Sequence, residues 1–369
     1  MNAPLRILHV MRAPVGGLFR HVVDLARQQT ARGHAVGIVA DSSTGSPAAA
    51  ETLNALGRSI ALGVTRVPMS RQVGPLDRSA LAHVAERTAA AKADVLHGHG
   101  AKGGAYARLA GGTALRVYTP HGGSLFYSPV SPIGLFYFAV ERWLRSRTDL
   151  ILFESAYALD AFRKFVGAPP FSRVVHNGIS QSELEAVHPD ANAADIVFVG
   201  ELRWRKGIDT LLEALARLKA EGWRGKAILY GEGPDRKASE DMARKLGLAD
   251  EVSFPGESKP RPAFQSGRLL VIPSRQESLP YIVLEAAAAR MPMITTNVGG
   301  IPEIFGPDAG ALVPAGDVNA LLAAIKRMRS GGQAELVERL HRRVAGHFSV
   351  EAMTEAVLAA YAEAARNRR

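Results

Sequence analysis

Short apolar runs of strand length alternate with longer stretches of helical period, and the alternation runs through the chain twice. In the first series the pattern predicts strands at Arg6 to Val10, Ala35 to Ala40, Asp94 to His97, Leu115 to Thr119, Leu150 to Phe153 and Val174 to His176. Helices are expected from Leu18 to about Arg32, closed by Gly33, and from Ser155 to Phe165. A polar stretch with Asn177-Gly178 and His188-Pro189 interrupts the pattern, which then restarts. The second series has strands at Asp195 to Val199, Ala227 to Tyr230, Val252 to Phe254, Leu269 to Ile272 and Met293 to Thr295. Its helices are Asp209 to Glu221, Arg236 to Leu246 and Tyr281 to Arg290. Strands separated by helices imply right-handed βαβ units around a parallel sheet. The expectation is an α/β protein of two doubly wound, Rossmann-like domains facing across a cleft, residues 1–178 and 195–349, with a linker at 179–194. An Ala-rich helix at about 350–369 is expected to pack back on the first domain.

Length agrees, since 369 residues at one domain per ~150 give two to three. The formal charge of +10 is concentrated early: 20 basic and 13 acidic residues up to Asp190, against 25 and 22 after it. Such a field suits anionic lipid or phosphorylated substrates. No Lys/Arg block and no nucleic-acid motif supports a nucleic-acid partner. With no cysteine there is no disulfide framework, thiolate metal site or cysteine nucleophile. No apolar run approaches the ~18 residues of a membrane span. The opening M-N-A-P-L-R-I-L-H-V enters a strand pattern without the regions of a signal peptide, so a cytoplasmic location is expected.

Several sites are missing. There is no G-x-x-x-x-G-K-[ST], no G-x-G-x-x-G after the first strand, no G-x-S-x-G and no Asp-x-Asp. His97 and His99 share one strand face, but no third ligand is evident from sequence, and no metal site is assigned. The most informative stretch is R-Q-E-S-L-P-Y-I-V-L-E from Arg275 to Glu285. Pro280 fits a first helical turn, which places Glu277 on the preceding loop and Glu285 within the helix. Backbone N–H groups of Ser278 and Leu279 can then hold a hydroxyl or phosphate oxygen, and Glu285 can accept two hydroxyls of a ribose. A capping box with a buried carboxylate explains the spacing equally well. Gly16 and Gly17, between the first strand and its helix, allow close approach of a pyrophosphate.

The Glu-x7-Glu pair and the run P-S-R-Q-E-S-L-P through N-V-G-G-I-P-E resemble the retaining glycosyltransferases of family 4. So do G-G-L, T-P-H-G, H-N-G-I, V-G-E-L-R-W-R-K-G, L-Y-G-E-G-P and F-P-G, in that order along the chain. The resemblance implies the GT-B fold and a nucleotide-sugar donor, UDP- or GDP-linked, as substrate with no further cofactor. It gives Arg203 and Lys206 the role of clamping the leaving diphosphate, where fixed cations favour the transition state. It places His121 against the transferred sugar and Glu277 in the catalytic set. The loops with Gly231, Gly233, Arg236, Pro255, Gly256 and Glu257 would serve base, ribose and phosphates. One departure stands out: the family motif begins G-R-L, whereas Glu201 follows Gly200 here, and Arg203 is the candidate substitute.

Retention is implied by the resemblance, with same-face attack and the leaving phosphate as base, because no carboxylate is placed as a nucleophile. The implied acceptor is a saccharide or lipid-linked hydroxyl in surface polysaccharide or glycolipid assembly. Phe126, Tyr127, Phe136, Tyr137, Phe138 and Trp143 beside Arg142, Arg145 and Arg147 suit either the inner membrane surface or an ordinary core helix. Two other readings remain open: a nucleotide-sugar 2-epimerase of the same fold, and a non-catalytic sugar-nucleotide-binding regulator.

Overall fold

The computed structural model describes residues 3–329, 331 and 333–368. They form two compact units, one of residues 1–177 and 350–369, the other of 178–349.

The first unit holds a seven-stranded parallel sheet: β1 Arg6–Met11, β2 Ala35–Asp41, β3 Gly63–Val67, β4 Val95–His99, β5 Leu115–Thr119, β6 Leu150–Phe153 and β7 Ser172–Val174. Their spatial order is β3-β2-β1-β4-β5-β6-β7. The order reverses between β1 and β4, so a crevice is expected beyond their carboxyl ends. β1 to β6 are almost wholly buried, apart from edge strand β3, as in a sheet covered on both faces, and are mostly apolar except for polar residues such as His9, Asp41, His97 and His99. On β4 the ladder sets His97 beside His9 and His99 beside Met11. The helix Gly100–Leu109 lies very close to this sheet: a Cβ on Gly103 would overlap the Val10 carbonyl oxygen. The final helix, Val350–Asn367, belongs to this unit, with Met353, Val357 and Tyr361 packed on Ile7, Leu115 and Leu150.

In the second unit are β8 Ala194–Val199, β9 Ala227–Tyr230, β10 Val252–Gly256, β11 Gly267–Ile272 and β12 Met293–Thr295, all parallel, in the order β10-β9-β8-β11-β12. The reversal here falls between β8 and β11. Two apolar layers flank the sheet, one built on the helix Ile208–Ala220 and the other on the helix Tyr281–Ala288.

Some expected boundaries shift. The seventh strand is Ser172–Val174 rather than Val174 to His176, because Val175 already turns out of the ladder after one bond to Phe153. Residues 181–184 of the expected linker form a 3-10 turn closed by a capping box between Ser180 and Glu183. The first helix starts at Gly16 itself, whose positive φ of 60° redirects the chain, so both glycines lie in the helix rather than before it. Pro280 caps the helix that begins at Tyr281 instead of occupying its first turn.

Candidate functional site

In the second unit the loops after β8 and β11, the two strands that flank the reversal, are joined by charge. Lys206 Nζ lies 2.5 Å from Glu277 Oε1, and Ser274 Oγ donates to the same oxygen at 2.7 Å. Both side chains are mostly buried, at 16% and 9% exposure, so the pair is shielded from water. Arg275 braces the two loops. Its guanidinium bonds both oxygens of Asp209 at 2.6 and 2.8 Å, reaches Thr210 and the Trp204 carbonyl, and stacks over the Trp204 ring. Its backbone N–H donates to the Arg205 carbonyl at 2.7 Å. Gly299 meets the same loop at its backbone. A Cβ there would overlap the Glu277 carbonyl oxygen, and its φ of 59° is one that side chains avoid.

Glu201 is the hub of the cations. Arg203 Nε bonds one of its oxygens at 3.0 Å and an Arg205 amine bonds the other at 3.0 Å. Partial burial works against ionisation of Glu201, but these two guanidiniums outweigh it and lower its pKa. Arg203, Arg205 and Lys206 thus stand on one short 3-10 turn with two carboxylates among them.

The other residues singled out in this unit divide. Ser278, Leu279 and Pro280 follow Glu277 directly, and Glu285 sits half-buried one turn into the next helix. Gly231 and Gly233 touch the Gly200–Leu202 loop backbone to backbone, where any Cβ would strike a carbonyl oxygen. Gly256 accepts from the Gly231 N–H at 2.8 Å, while Pro255 and Glu257 are exposed beside it. Arg236 is spent on structure: it bonds Glu240, Glu232 and the Phe254 carbonyl, tying the β9 and β10 loops together.

The first unit carries a second polar centre. Successive parallel strands each deliver one residue at the carboxyl end: His99 from β4, His121 after β5, Glu154 after β6 and Asn177 after β7. His21 joins them from the helix Gly16–Ala31, and His9 and His97 lie deeper, on β1 and β4. His121 takes a left-handed backbone with φ 52°, strained for a residue with a Cβ, and Gly122 and Gly123 continue the turn. That turn brings His121 Nδ1 to 2.7 Å from Glu154 Oε1. Burial works against ionisation of Glu154, but His121 first, then His21 and Asn177, hold its pKa down to about 2. Burial holds His9 neutral with a pKa near 4 despite its bond to the Gln29 amide oxygen, and His21 near 3. His97 and His99 are pushed the same way by burial and by the histidines around them. Gly16 and Gly17 are exposed at the helix N-terminus.

The sequence alone shows no third partner for His97 and His99; the fold supplies His9, His21 and His121 around them. Arg275, Glu201 as a cation hub, and the Glu154–His121 pair are also not evident from spacing. Only the polar residue directly after each apolar strand hints at them.

Two family models match consecutive parts of the chain: glycosyltransferase family 4 over residues 15–183 and glycosyl transferases group 1 over residues 181–345. The chain is 27% identical over 241 residues to a glycogen synthase of Mycobacterium tuberculosis, covering 63% of this chain and 58% of that one. It is 33% identical over 174 residues to the lipopolysaccharide core biosynthesis glycosyltransferase LpsE of Rhizobium meliloti, 46% and 49% of the two chains. The chain spans about half the length of the curated relatives it matches. Among solved structures, Anabaena HepE in complex with UDP-glucose superposes with a TM-score of 0.79 at 20% identity over 97% of this chain and 99% of that one. By its two consecutive family matches and its pair of Rossmann-like units, the chain belongs to glycosyltransferase family 4 and has the GT-B fold.

Proposed function

We propose that this protein transfers a sugar from a nucleotide-sugar, UDP- or GDP-linked, to a hydroxyl acceptor with retention of anomeric configuration. The observation that carries the reading is the Lys206–Glu277 pair on the two loops beside the strand-order reversal, with Arg203 and Arg205 on the same turn as Lys206. As the glycosidic bond breaks, negative charge builds on the diphosphate. Cations already fixed there by Glu201 and Glu277 need no reorganisation to meet it. In this reading Arg203 takes the place of the family arginine at 201, sharing its guanidinium between Glu201 and phosphate. Protein cations do the neutralising, so the diphosphate needs no metal. Both contacts to Glu277 fall on Oε1, which leaves Oε2 to accept a sugar hydroxyl. The second unit is the donor domain and the first the acceptor domain, with His121 facing the sugar. Gly16 and Gly17 at an exposed helix N-terminus, and Ser278 to Pro280 with Glu285, complete the nucleotide-sugar contacts.

The test is thermal denaturation against UDP-, GDP- and ADP-sugars in EDTA, followed by acceptor-dependent release of nucleoside diphosphate. One nucleotide class at a hundredfold excess over its Kd is expected to stabilise the native state by about 2.7 kcal/mol. No shift with any class would remove the metal-free donor site. Donor turnover without an acceptor would favour the epimerase, and binding without any turnover the regulator.

For the acceptor we propose a lipid-linked saccharide presented at the inner membrane surface, in polysaccharide or glycolipid assembly. Supporting this, the helix Pro132–Arg145 and the loop before it leave Val130, Ile133, Leu135, Phe136 and Trp143 exposed, next to Arg142 and Arg147. Phe138 on that helix is buried and serves the core instead. Among the described residues no helix is long and apolar enough to cross a membrane. Sedimentation with vesicles of anionic lipid is expected to capture the protein, and Phe136→Ser with Trp143→Ser to reduce capture about tenfold or more, given two buried aromatic side chains. Equal capture of the variant would sink the proposal.

A further inference from the structure

Three histidines of the first unit form a hydrogen-bonded chain whose protons do not add up. His9, His99 and His121 are strung between Gln29 and Glu154. His9 Nε2 meets Gln29 Oε1 at 2.8 Å, His9 Nδ1 meets His99 Nε2 at 3.0 Å, His99 Nδ1 meets His121 Nε2 at 3.1 Å, and His121 Nδ1 meets Glu154 Oε1 at 2.7 Å. Both ends are acceptors, so four contacts share the three protons of three neutral rings. Three contacts are satisfied if His9 and His99 donate from Nε2 and His121 donates from Nδ1. The fourth then sets the lone pair of His99 Nδ1 against that of His121 Nε2, and a cation between them would relieve it.

His21 supplies a third lone pair. Its Nδ1 is engaged by Asn177 Oδ1 at 2.9 Å, while its Nε2 is buried with no hydrogen-bond partner. Turning the Gln29 amide over, whose Nε2 is itself buried without a partner, would provide the missing proton of the chain, but would leave His21 Nε2 as it is. One ring nitrogen from each of His21, His99 and His121 lies within 4.8 Å of the others. Their ring centroids are 4.8, 5.3 and 5.6 Å apart. Tetrahedral bonds of about 2.0–2.1 Å from zinc to imidazole nitrogen set ring centroids about 5 Å apart.

We propose that His21, His99 and His121 form a site for a divalent transition metal of the zinc class, bound through His21 Nε2, His99 Nδ1 and His121 Nε2. The far nitrogen of each ring already has an acceptor: Asn177 for His21, His9 for His99 and Glu154 for His121. Such outer partners fix the tautomer and orientation that a ligating histidine needs. Three histidines leave a fourth position for a water or hydroxyl oxygen. The alternative trio of His9, His97 and His99 has no such convergence. His97 spends its two nitrogens on the Tyr361 hydroxyl at 2.7 Å and Thr119 at 2.8 Å, and His9 spends both of its own on Gln29 and His99. The site lies wholly within the first unit and does not rest on the donor reading of the second, but a metal there would take the His121 nitrogen that the proposed function leaves to the sugar.

The test is metal content and spectroscopy of the full chain. Protein expressed with added zinc and filtered into metal-free buffer is expected to hold about one equivalent per chain. Chelator-stripped protein titrated with Co²⁺ alone is expected to develop the strong visible bands of tetrahedral cobalt. Zn²⁺ is expected to raise its melting temperature. His21→Gln and His99→Gln are expected to abolish the bands. His97→Gln, in the same cluster but with its nitrogens used elsewhere, is expected to keep them. Wild-type protein that melts cooperatively yet binds neither metal would overturn the proposal, as would loss of cobalt from His97→Gln as complete as from His21→Gln. So would NMR showing a doubly protonated ring at neutral pH in zinc-treated protein, since a proton would then be the missing cation.

Discussion

Lys206→Ala is expected to lower kcat by about 10²- to 10³-fold, the usual effect of deleting one preorganised group that meets developing charge. The measurement is nucleotide release with the acceptor that drives it, compared with Lys206→Arg, which keeps the charge. The substitution also strips the cation from Glu277, whose side chain is only 9% exposed. Breaking a mostly buried pair from one side costs about 3 kcal/mol of stability, because the remaining charge stays desolvated. Adding Glu277→Gln removes that charge and is expected to restore much of the lost stability while leaving turnover low. This non-additivity separates a damaged fold from damaged chemistry. Turnover of Lys206→Ala within about threefold of the parent would end the charge-stabilisation reading of this loop.

Acidification from pH 7.5 to pH 5 is expected to destabilise the first unit steeply. In the native state burial keeps His9 neutral down to about pH 4 and His21 down to about pH 3, and His97 and His99 shift in the same direction. In the unfolded chain these rings protonate near their ordinary value of 6.5, so the unfolded state binds more protons below it and stability rises with pH. The contribution is complete above about pH 6.5 and fades as pH falls toward the native values. At pH 5 each ring that stays neutral in the native state has cost about 2 kcal/mol. The rings share one network, so their effects are not a simple sum. Glu154, held near 2, adds a loss of the same sign, but only below about pH 4.5. Denaturant midpoints at pH 7.5, 6 and 5 in EDTA check this, and a flat profile would contradict it. His21→Asn is expected to reduce the slope.

Much of the sheet was legible because fully buried parallel strands are apolar throughout. Leu115–Thr119, Leu150–Phe153, Ala227–Tyr230 and Met293–Thr295 fall where the apolar runs lie. The stretch after Asp41 gave no clear pattern, yet it holds the helix Pro47–Gly57, β3 and the helix Leu76–Ala90. β3 is an edge strand with one fully buried residue, and Leu76–Ala90 buries only Ala80, Val84 and Thr88. Neither presents a face apolar enough to mark its period. In the candidate donor site the loop after β11 could be read because Glu277 and Glu285 are close in sequence. The pairing of Arg203 and Arg205 with Glu201 could not, since spacing gives no side-chain direction. The histidine centre was still less legible. Its members come from six separate segments, and only the H-x-H of β4 shows two of them together.

The first unit is closed by the last helix of the chain, Val350–Asn367, whose Tyr361 hydroxyl reaches His97. A ribosome therefore delivers residues 178–349 before the piece that completes what it began. The second unit is contiguous and can fold as soon as it emerges. Until that helix leaves the exit tunnel, Ile7, Leu115, Val117 and Leu150 have only Leu25 of the first helix on this side and lack Met353, Val357 and Tyr361. The nascent chain thus carries an open apolar seam while residues 178–349 are being made. A stop codon before that helix would leave the seam permanently exposed, making truncation here a question for chaperones and proteases before it is one of catalysis.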